Sequence, residues 1–569
     1  MNKILIFLDL IGDMKNLKHY IVLIFIGLLI FQFSFIFLMN VYDIQFTNSK
    51  YFSSQAMSYR LKETLIPASR GNIYDSNLNP IVTNTRGFNL GVVPSKVKNK
   101  NEISEILSVL LNDDKNKIMN KLVNKETYFY LKRNLEFDLG LEIQSWQIDG
   151  LVLEETTNRV IHEESLRRII GKVDPDGNGI EGVELYFNSS LKGKDGKRTY
   201  ESAPNGKMIP QASIKTQEVI HGNDLILTIN SELQYKATEL CKEAIIQTNS
   251  MNCSIVFADA KNGEILILTE ARNEKIPNIS TELINLRAQY EPGSSLKIFT
   301  IGSVIQKDLS SMTELYTVPY LIEIIEGSCR EGFKEGGCFK DFKKHEDYFI
   351  NLPEIIERSS NVGTILATQN MTINEIESYL KMYGFMKKTG IELTGELAGG
   401  ISSNKTCLTC LPSLSIGYSI DVTQLQMVKA YSIIANGGEN INLTLNKQRN
   451  LDVNNSYNVI STEHSEILKD LLFNVVNGEN GTARSLKLLP YLTGGKTGTS
   501  RTHIEGVGYS NDLYNTSFVG FSELEEQTIV GSVILWGASI NPYSEYVTGG
   551  STAAPIYKEM IEYIASIGN

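Results

Sequence analysis

With 569 residues, 42% of them hydrophobic and 21% charged, the chain exceeds one ordinary domain and holds apolar mass enough for two or three. Its formal charge of -11 argues against a nucleic-acid partner, because phosphate contacts need clustered Lys and Arg. An acidic surface is common in soluble domains and names no partner by itself.

The first predicted element is a membrane anchor. Ile4 to Leu8 is too short to span and is interrupted by Asp9, whereas Tyr20 to Met39 is uncharged and only mildly polar at Gln32 and Ser34. About twenty such residues cross a bilayer core as a helix, and this run lacks the polar stripe of a buried core helix. Lys15, Lys18 and His19 precede it and Asp43 is the first charge after it. The positive-inside tendency therefore predicts a cytoplasmic tail at 1–17, an anchor at 18–40 and export of everything beyond. The run ends Phe37-Leu38-Met39-Asn40-Val41-Tyr42, without the small residues of a cleavage site, so the anchor is expected to stay attached.

Helical character is predicted over Tyr51 to Leu65. The segment Pro67 to Val82 is rich in turn residues and leads into a strand, with Gly71 where unusual dihedrals are expected. Residues 101–150 read as amphipathic helices. Asp174, Asp176, Asn178 and Gly179 imitate the start of a calcium loop, but its twelfth position is Leu185 where a Glu is required, so a structural turn is predicted instead. From His221 the pattern changes to a strand through Asn230, a helix through Gln234 to Ala244, and two strands, Cys253 to Ala258 and Glu264 to Glu270, joined at Asn262-Gly263. Helical and strand patterns then alternate to the end.

Export changes how the six cysteines read, since an oxidising compartment lets them pair. Two local disulfides, Cys329–Cys338 and Cys407–Cys410, are expected, with a four-cysteine zinc site as the alternative. Cys241 lies in a helical pattern and Cys253 in an apolar one, and both are expected to be buried, inert thiols.

Three strings in fixed order carry chemistry. Ser294-Ser295-Leu296-Lys297 follows Glu291-Pro292-Gly293, a loop feeding a helix whose N-terminus favours developing negative charge. Lys297 falls on the same helical face as Ser294; desolvated near other cations, it loses charge and can take the serine proton. The plain alternative is an N-cap serine followed by a solvated lysine. Ser359-Ser360-Asn361 follows the helical Leu352 to Arg358 and supplies a hydroxyl that can relay a proton and an amide that can orient a peptide bond; alone, it reads equally as a helix-end turn. Lys496-Thr497-Gly498-Thr499 has the composition of an open edge strand. Lys496, Thr497 and Thr499 are expected to grip a carboxylate on a ligand lying along that edge, where Gly498 presents no side chain to block it. The backbone N–H groups of Ser294 and Thr499 are oxyanion-hole candidates.

Together the three strings resemble the active-site signature of penicillin-interacting acyl-transfer enzymes. The chain resembles a class B penicillin-binding protein, and most of all the septal, cell-division branch. Arg70-Gly71-Asn72-Ile73-Tyr74-Asp75 and Gly179-Ile180-Glu181-Gly182-Val183-Glu184 resemble motifs of that family's pedestal domain. Tyr290 to Ser294, Arg358 to Gly363, Gly417 to Gln426, Asn436 to Gly438, Gly481 to Ala483, Gly494 to Thr499 and Thr548 to Pro555 resemble its catalytic segments. The resemblance implies an α/β (α+β) fold: an elongated mixed pedestal at 41–219 and a transpeptidase domain at 220–569, an antiparallel sheet flanked by helices. It implies that Ser294 attacks the D-Ala-D-Ala bond of a peptidoglycan stem peptide, that an acceptor amine resolves the acyl-enzyme into a cross-link, and that β-lactams trap Ser294. No cofactor or metal is implied, and a polytopic glycosyltransferase and other division proteins are the expected partners. Leu296 stands where an aromatic residue is usual, Ser295 where Thr is common, and Ser76 where Arg is frequent, so the pocket wall and one domain-contact salt bridge are expected to differ. The cysteine segments fall outside the family pattern. A serine β-lactamase or D,D-carboxypeptidase, an elongation-type transpeptidase, a β-lactam sensor and a division scaffold are the rival readings.

Overall fold

The computed structural model describes residues 2–203, 209, 215–276, 283–331, 336–401, 406–448, 457–504, 506, 508–541 and 545–567, with backbone alone for most of the first eighteen. One continuous helix, Asn2–Tyr42, carries the apolar run. Among the described residues the single candidate membrane span is His19–Thr47, with mean hydropathy 2.8 and none of its apolar window buried in protein. The chain forms two compact units, Met1–Ala68 with Lys194–His221, and Ser69–Gly193 with Gly222–Asn569.

In the first unit the helix predicted over Tyr51 to Leu65 stops early. Ser49–Arg60 is helical, but Leu61–Ile66 is a strand paired antiparallel with Gly196–Glu201, which in turn pairs with Lys215–Gln217. The partner lies some 130 residues downstream, and that pairing overrides a local helical pattern.

In the second unit, Pro80–Val92 pairs with Phe129–Glu136, Leu151–Ile161 and Ile73–Tyr74. Helices Lys100–Leu111 and Lys115–Asn124 agree with the amphipathic reading of 101–150, whereas Phe129–Glu136 is a strand that buries Phe129, Leu131 and Leu135. A small core gathers Phe88, Leu90, Leu107, Ile118, Leu122 and Ile143 beneath these elements. The two Gly-rich motifs meet: Arg70 Nη2 lies 2.6 Å from Glu184 Oε2, and Arg159 Nε lies 2.7 Å from Glu184 Oε1, with the carboxylate buried and both guanidinium side chains largely covered. A buried carboxylate with two guanidinium partners is far costlier to break than a surface pair. Ser76, where the sequence predicts an altered domain contact, uses its backbone N–H, which donates to the Ile229 carbonyl at 2.9 Å. The calcium-like loop is a turn: Asp174 Oδ1 accepts from the N–H groups of Asp176 and Asn178. Of the stretch His221 to Asn230 only Leu225–Ile226 is a strand, pairing in parallel with Ile73–Tyr74.

The larger sheet is five-stranded and wholly antiparallel. We label its elements and neighbours α1 (Ser231–Thr248), β1 (Asn252–Asp259), β2 (Ile265–Arg272), α2 (Lys297–Gln306), β3 (Cys338–Lys340), α3 (Leu352–Arg358), α4 (Asn361–Thr368), α5 (Gln424–Ala435), β4 (Leu492–Ile504), β5 (Gly508–Glu523), β6 (Thr528–Ala538) and α6 (Gly549–Ile567). β3 pairs with the short strand Leu321–Glu323, apart from the sheet. The sheet order is β2-β1-β6-β5-β4, which leaves β4 at an edge. Both faces are covered. Phe257 on β1 and Phe518 on β5 meet the Tyr557 ring of α6, and Gly531 on β6, opposite Phe257, leaves room for the Phe257 ring. The next residue, Ser532, points the other way, where Gln424 of α5 donates to its carbonyl at 2.9 Å. Period-two alternation with two buried faces explains why these strands read as continuous apolar runs.

All six cysteines pair. Cys329–Cys338 and Cys407–Cys410 form the two local disulfides expected, and no sulfur is left for the alternative four-cysteine site. Cys241 and Cys253 correct the prediction of inert thiols: they are bonded, with Cα atoms 5.3 Å apart. Each was read by its own periodicity as buried; α1 packing onto β1 makes the two positions one place.

Candidate active site

The residues of the three strings converge at the junction of α2, the α3–α4 turn and the edge strand β4. Gly293–Leu296 is a 3-10 turn that runs directly into α2, and the Lys297 N–H donates to the Ser294 carbonyl. In such a turn residues three apart eclipse, which sets Ser294 and Lys297 on one face. Gly293 has φ +54° and its N–H donates to the Gly417 carbonyl at 3.0 Å, fixing the entry to the turn. Ser295 Oγ donates back to the Pro292 carbonyl at 2.7 Å, and Tyr431 on α5 donates to the Ser295 carbonyl at 2.8 Å. Ser294 alone of Pro292–Lys297 is not fully buried. Its hydroxyl makes no hydrogen bond among the described residues. Leu296 is fully buried in the core and lines no pocket, so this departure leaves the pocket wall untouched.

Lys297 is 0% exposed. Its Nζ donates to the Ser359 carbonyl at 2.6 Å and to Asn361 Oδ1 at 2.7 Å. Burial drives its ammonium down to about 7, with the nearby Asp341 carboxylate opposing the shift. A neutral amine has two N–H bonds and one lone pair. With both N–H groups engaged by fixed acceptors, the lone pair remains for a proton from another group.

Ser359 ends α3 in the left-handed region at φ +59°, a conformation uncommon for a side-chain-bearing residue and typical of functional turns. The turn throws its hydroxyl toward β4, where Lys496 Nζ donates to Ser359 Oγ at 2.7 Å. That leaves the Ser359 proton available to a third group. Lys496 is also fully buried, and burial together with the Lys297 charge holds it well below the ordinary lysine range. A carboxylate bound beside it would restore the charged form.

On β4, Thr497 Oγ1 lies 2.8 Å from Thr482 Oγ1, and Thr499 Oγ1 accepts from the Gly549 N–H at 3.2 Å. Gly498 serves the protein side of the strand: a Cβ there would stand 2.3 Å from Ser517 Oγ and 2.9 Å from the Pro292 carbonyl. Its missing side chain lets the Ser294 turn seat against the strand. A Cβ at Gly293 would lie 3.3 Å from the Thr499 carbonyl, which puts the Thr499 backbone beside that turn.

Sequence reasoning missed three contributors. Thr482 partners Thr497, Asp341 braces the α3–α4 turn, and Glu291 accepts from the Ser419 N–H and from Tyr509 Oη, each at 2.8 Å, while burial pushes its carboxyl up. Glu291 and Thr482 lie inside segments that carry the family resemblance, which could have flagged them. Asp341 has no local signature.

Comparison with known proteins decides the family. The model of the penicillin-binding protein transpeptidase domain matches residues 253–562, more than half of the chain, and that of the penicillin-binding protein dimerisation domain matches 65–227. This chain belongs to the penicillin-binding protein transpeptidase family. Stage V sporulation protein D of Bacillus subtilis is 25% identical over 90% of this chain and 80% of its own length. Peptidoglycan D,D-transpeptidase FtsI of Buchnera aphidicola is 25% identical over 94% of this chain and 93% of its own. In fold the chain is similar to penicillin-binding protein 3 of Mycobacterium tuberculosis complexed with aztreonam, with a TM-score of 0.64 and 21% identity over 89% of this chain and 97% of that one. It is similar too to penicillin-binding protein 2 of Helicobacter pylori in complex with MreC, at 0.71 and 20% over 89% and 99%. The transpeptidase is thus a class B penicillin-binding protein, a serine-type peptidoglycan D,D-transpeptidase. Proteins of this family bind stem peptides and β-lactams, and the apolar N-terminal helix fits a single-pass membrane anchor.

Proposed function

We propose that Ser294 is the nucleophile, that Lys297 is its general base, and that the enzyme cross-links stem peptides at the division septum. The observation that carries the catalytic part is the fully buried Lys297 amine, tied by two fixed acceptors and lying one 3-10 turn from a serine with a free hydroxyl. Ser294 gives its proton to the Lys297 lone pair as its oxygen attacks the penultimate D-Ala carbonyl. The N–H groups of Ser294 and Thr499 receive the oxyanion. Ser359, held by Lys496, passes a proton to the departing D-Ala amine, and Asn361 orients the donor peptide. Lys496 and the hydroxyls of Thr497 and Thr499 hold the terminal carboxylate, with Gly498 setting strand and nucleophile in contact. An acceptor amine then attacks the acyl-enzyme, Lys297 serving as base again. No metal or cofactor takes part.

The chain divides for this purpose into a cytoplasmic tail (1–17), an anchor (18–40), a pedestal (41–219) and a catalytic domain (220–569) in the periplasm of a cell with an inner membrane. The whole-length likeness to FtsI supports the septal role, and a polytopic glycosyltransferase and other division proteins are the partners this role requires. The test supplies a donor peptide ending in D-Ala-D-Ala together with an acceptor amine. Wild type should release D-Ala and form the cross-linked product, and Ser294→Ala should do neither. D-Ala release without cross-linking would make the enzyme a carboxypeptidase. Depletion in the host should give filaments; rounded cells would assign it to elongation.

A further inference from the structure

Asp341 directly follows β3, and its side chain is 8% exposed. Four donors surround its carboxylate. The Asn361 and Val362 N–H groups donate to Oδ1 at 2.5 and 3.0 Å. Ser360 Oγ and His345 Nε2 donate to Oδ2 at 2.8 and 3.1 Å. The first two are free N–H groups at the start of α4, so a carboxylate from another segment caps the helix that opens with Asn361. Its neighbour completes the grip, because Asn361 Nδ2 donates to the Lys340 carbonyl at 2.8 Å. With Nδ2 committed there, the amide can face Lys297 only with its oxygen. A flipped amide would set oxygen against oxygen at Lys340, and at Lys297 its N–H would either face an N–H or occupy the lone pair the base needs. The Asp341 backbone is itself fixed, its N–H donating to the Tyr320 carbonyl at 2.9 Å.

We propose that Asp341 is a positioning residue for acylation: it locks the Ser359-Ser360-Asn361 turn so that the Ser359 carbonyl and Asn361 Oδ1 hold the Lys297 amine in register with Ser294. This rests on the reading of Ser294 and Lys297 as nucleophile and base. An ordinary helix cap would contribute to stability and leave chemistry alone; this one determines where two ligands of the base lie.

The test measures the second-order rate of acylation of the full-length, detergent-solubilised protein by a fluorescent penicillin, with thermal melting recorded alongside. Asp341→Asn preserves shape and one acceptor oxygen, but presents an amide to Ser360 and His345. It should slow acylation by about 10- to 100-fold, as small misplacements of catalytic groups do, while the protein still melts cooperatively. Because Asp341 acts partly through Asn361 and partly through the Ser359 carbonyl, adding Asp341→Asn to Asn361→Ala should slow that variant by a clearly smaller factor than it slows wild type. Acylation of Asp341→Asn at the wild-type rate, or losses that multiply in the double variant, would overturn the proposal. Should Asp341→Asn not fold, Ser360→Ala, which deletes one of the same donors, is read identically, with about a threefold or greater loss expected and an unchanged rate counting against it. Wild type that is not acylated at Ser294 would overturn the nucleophile assignment and this proposal with it, a result distinct from normal acylation of both wild type and Asp341→Asn.

Discussion

At the level of single residues, the account turns on an amine that is neutral where lysine is ordinarily charged. Lys297 sits near 7 because burial removes the water that stabilises its ammonium, and Asp341 returns part of that stabilisation. The general base must be unprotonated, so the rate of acylation should be low in acid, rise as the pH climbs through about 7, and level off above it. Stopped-flow acylation between pH 5.5 and 9 checks this; a rate that falls on raising the pH through that range would exclude a neutral amine as base. The same burial bears on stability. The unfolded chain holds this proton up to the ordinary lysine range and the folded chain releases it near 7, so Lys297 makes folding less favourable at neutral pH and that penalty shrinks as the pH rises. Much of the residue-level picture was legible, since Ser294, Lys297, Ser359, Asn361 and Lys496 do gather. What the sequence hid was how they are supported. Asp341 reaches Asn361 across twenty positions of chain, and no local pattern marks such a contact. Leu296 shows the reverse, a departure that promised an altered pocket and proves to be core.

At the level of elements, the fit between the nucleophile turn and the edge strand is set by glycine. The Gly498 Cα faces Ser517 Oγ and the Pro292 carbonyl too closely to admit a side chain, so Gly498→Val must push the turn off the strand. Backbone gives way less easily than a flexible side chain, so we expect acylation by penicillin to fall by about 100-fold or more, with far-UV circular dichroism retained. Unchanged acylation would mean that turn and strand need not touch. The elements also show why reading a chain locally stops short. Leu61–Ile66 looked helical because its partner, Gly196–Glu201, is remote. Phe129–Glu136 was absorbed into neighbouring helices, although its Tyr and Phe content favours a strand. Cys241 and Cys253 were each placed correctly as buried, and only the packing of α1 on β1 shows that they bond.

For the whole molecule, composition and hydropathy foretold the apolar anchor helix and the globular mass, and the family resemblance carried by the ordered motifs foretold the fold of the larger sheet. The division into compact units was less visible, because Lys194–His221 returns to the N-terminal unit after a long excursion, and such a return leaves no mark in composition. The central claim is that this anchored chain carries out acyl transfer through Ser294. Intact-mass analysis of the detergent-solubilised protein after incubation with a penicillin, wild type beside Ser294→Ala, tests it most directly. The account predicts one lasting adduct of the drug's mass on wild type and none on the variant. An adduct on both, or drug destroyed with no adduct on wild type, would contradict it.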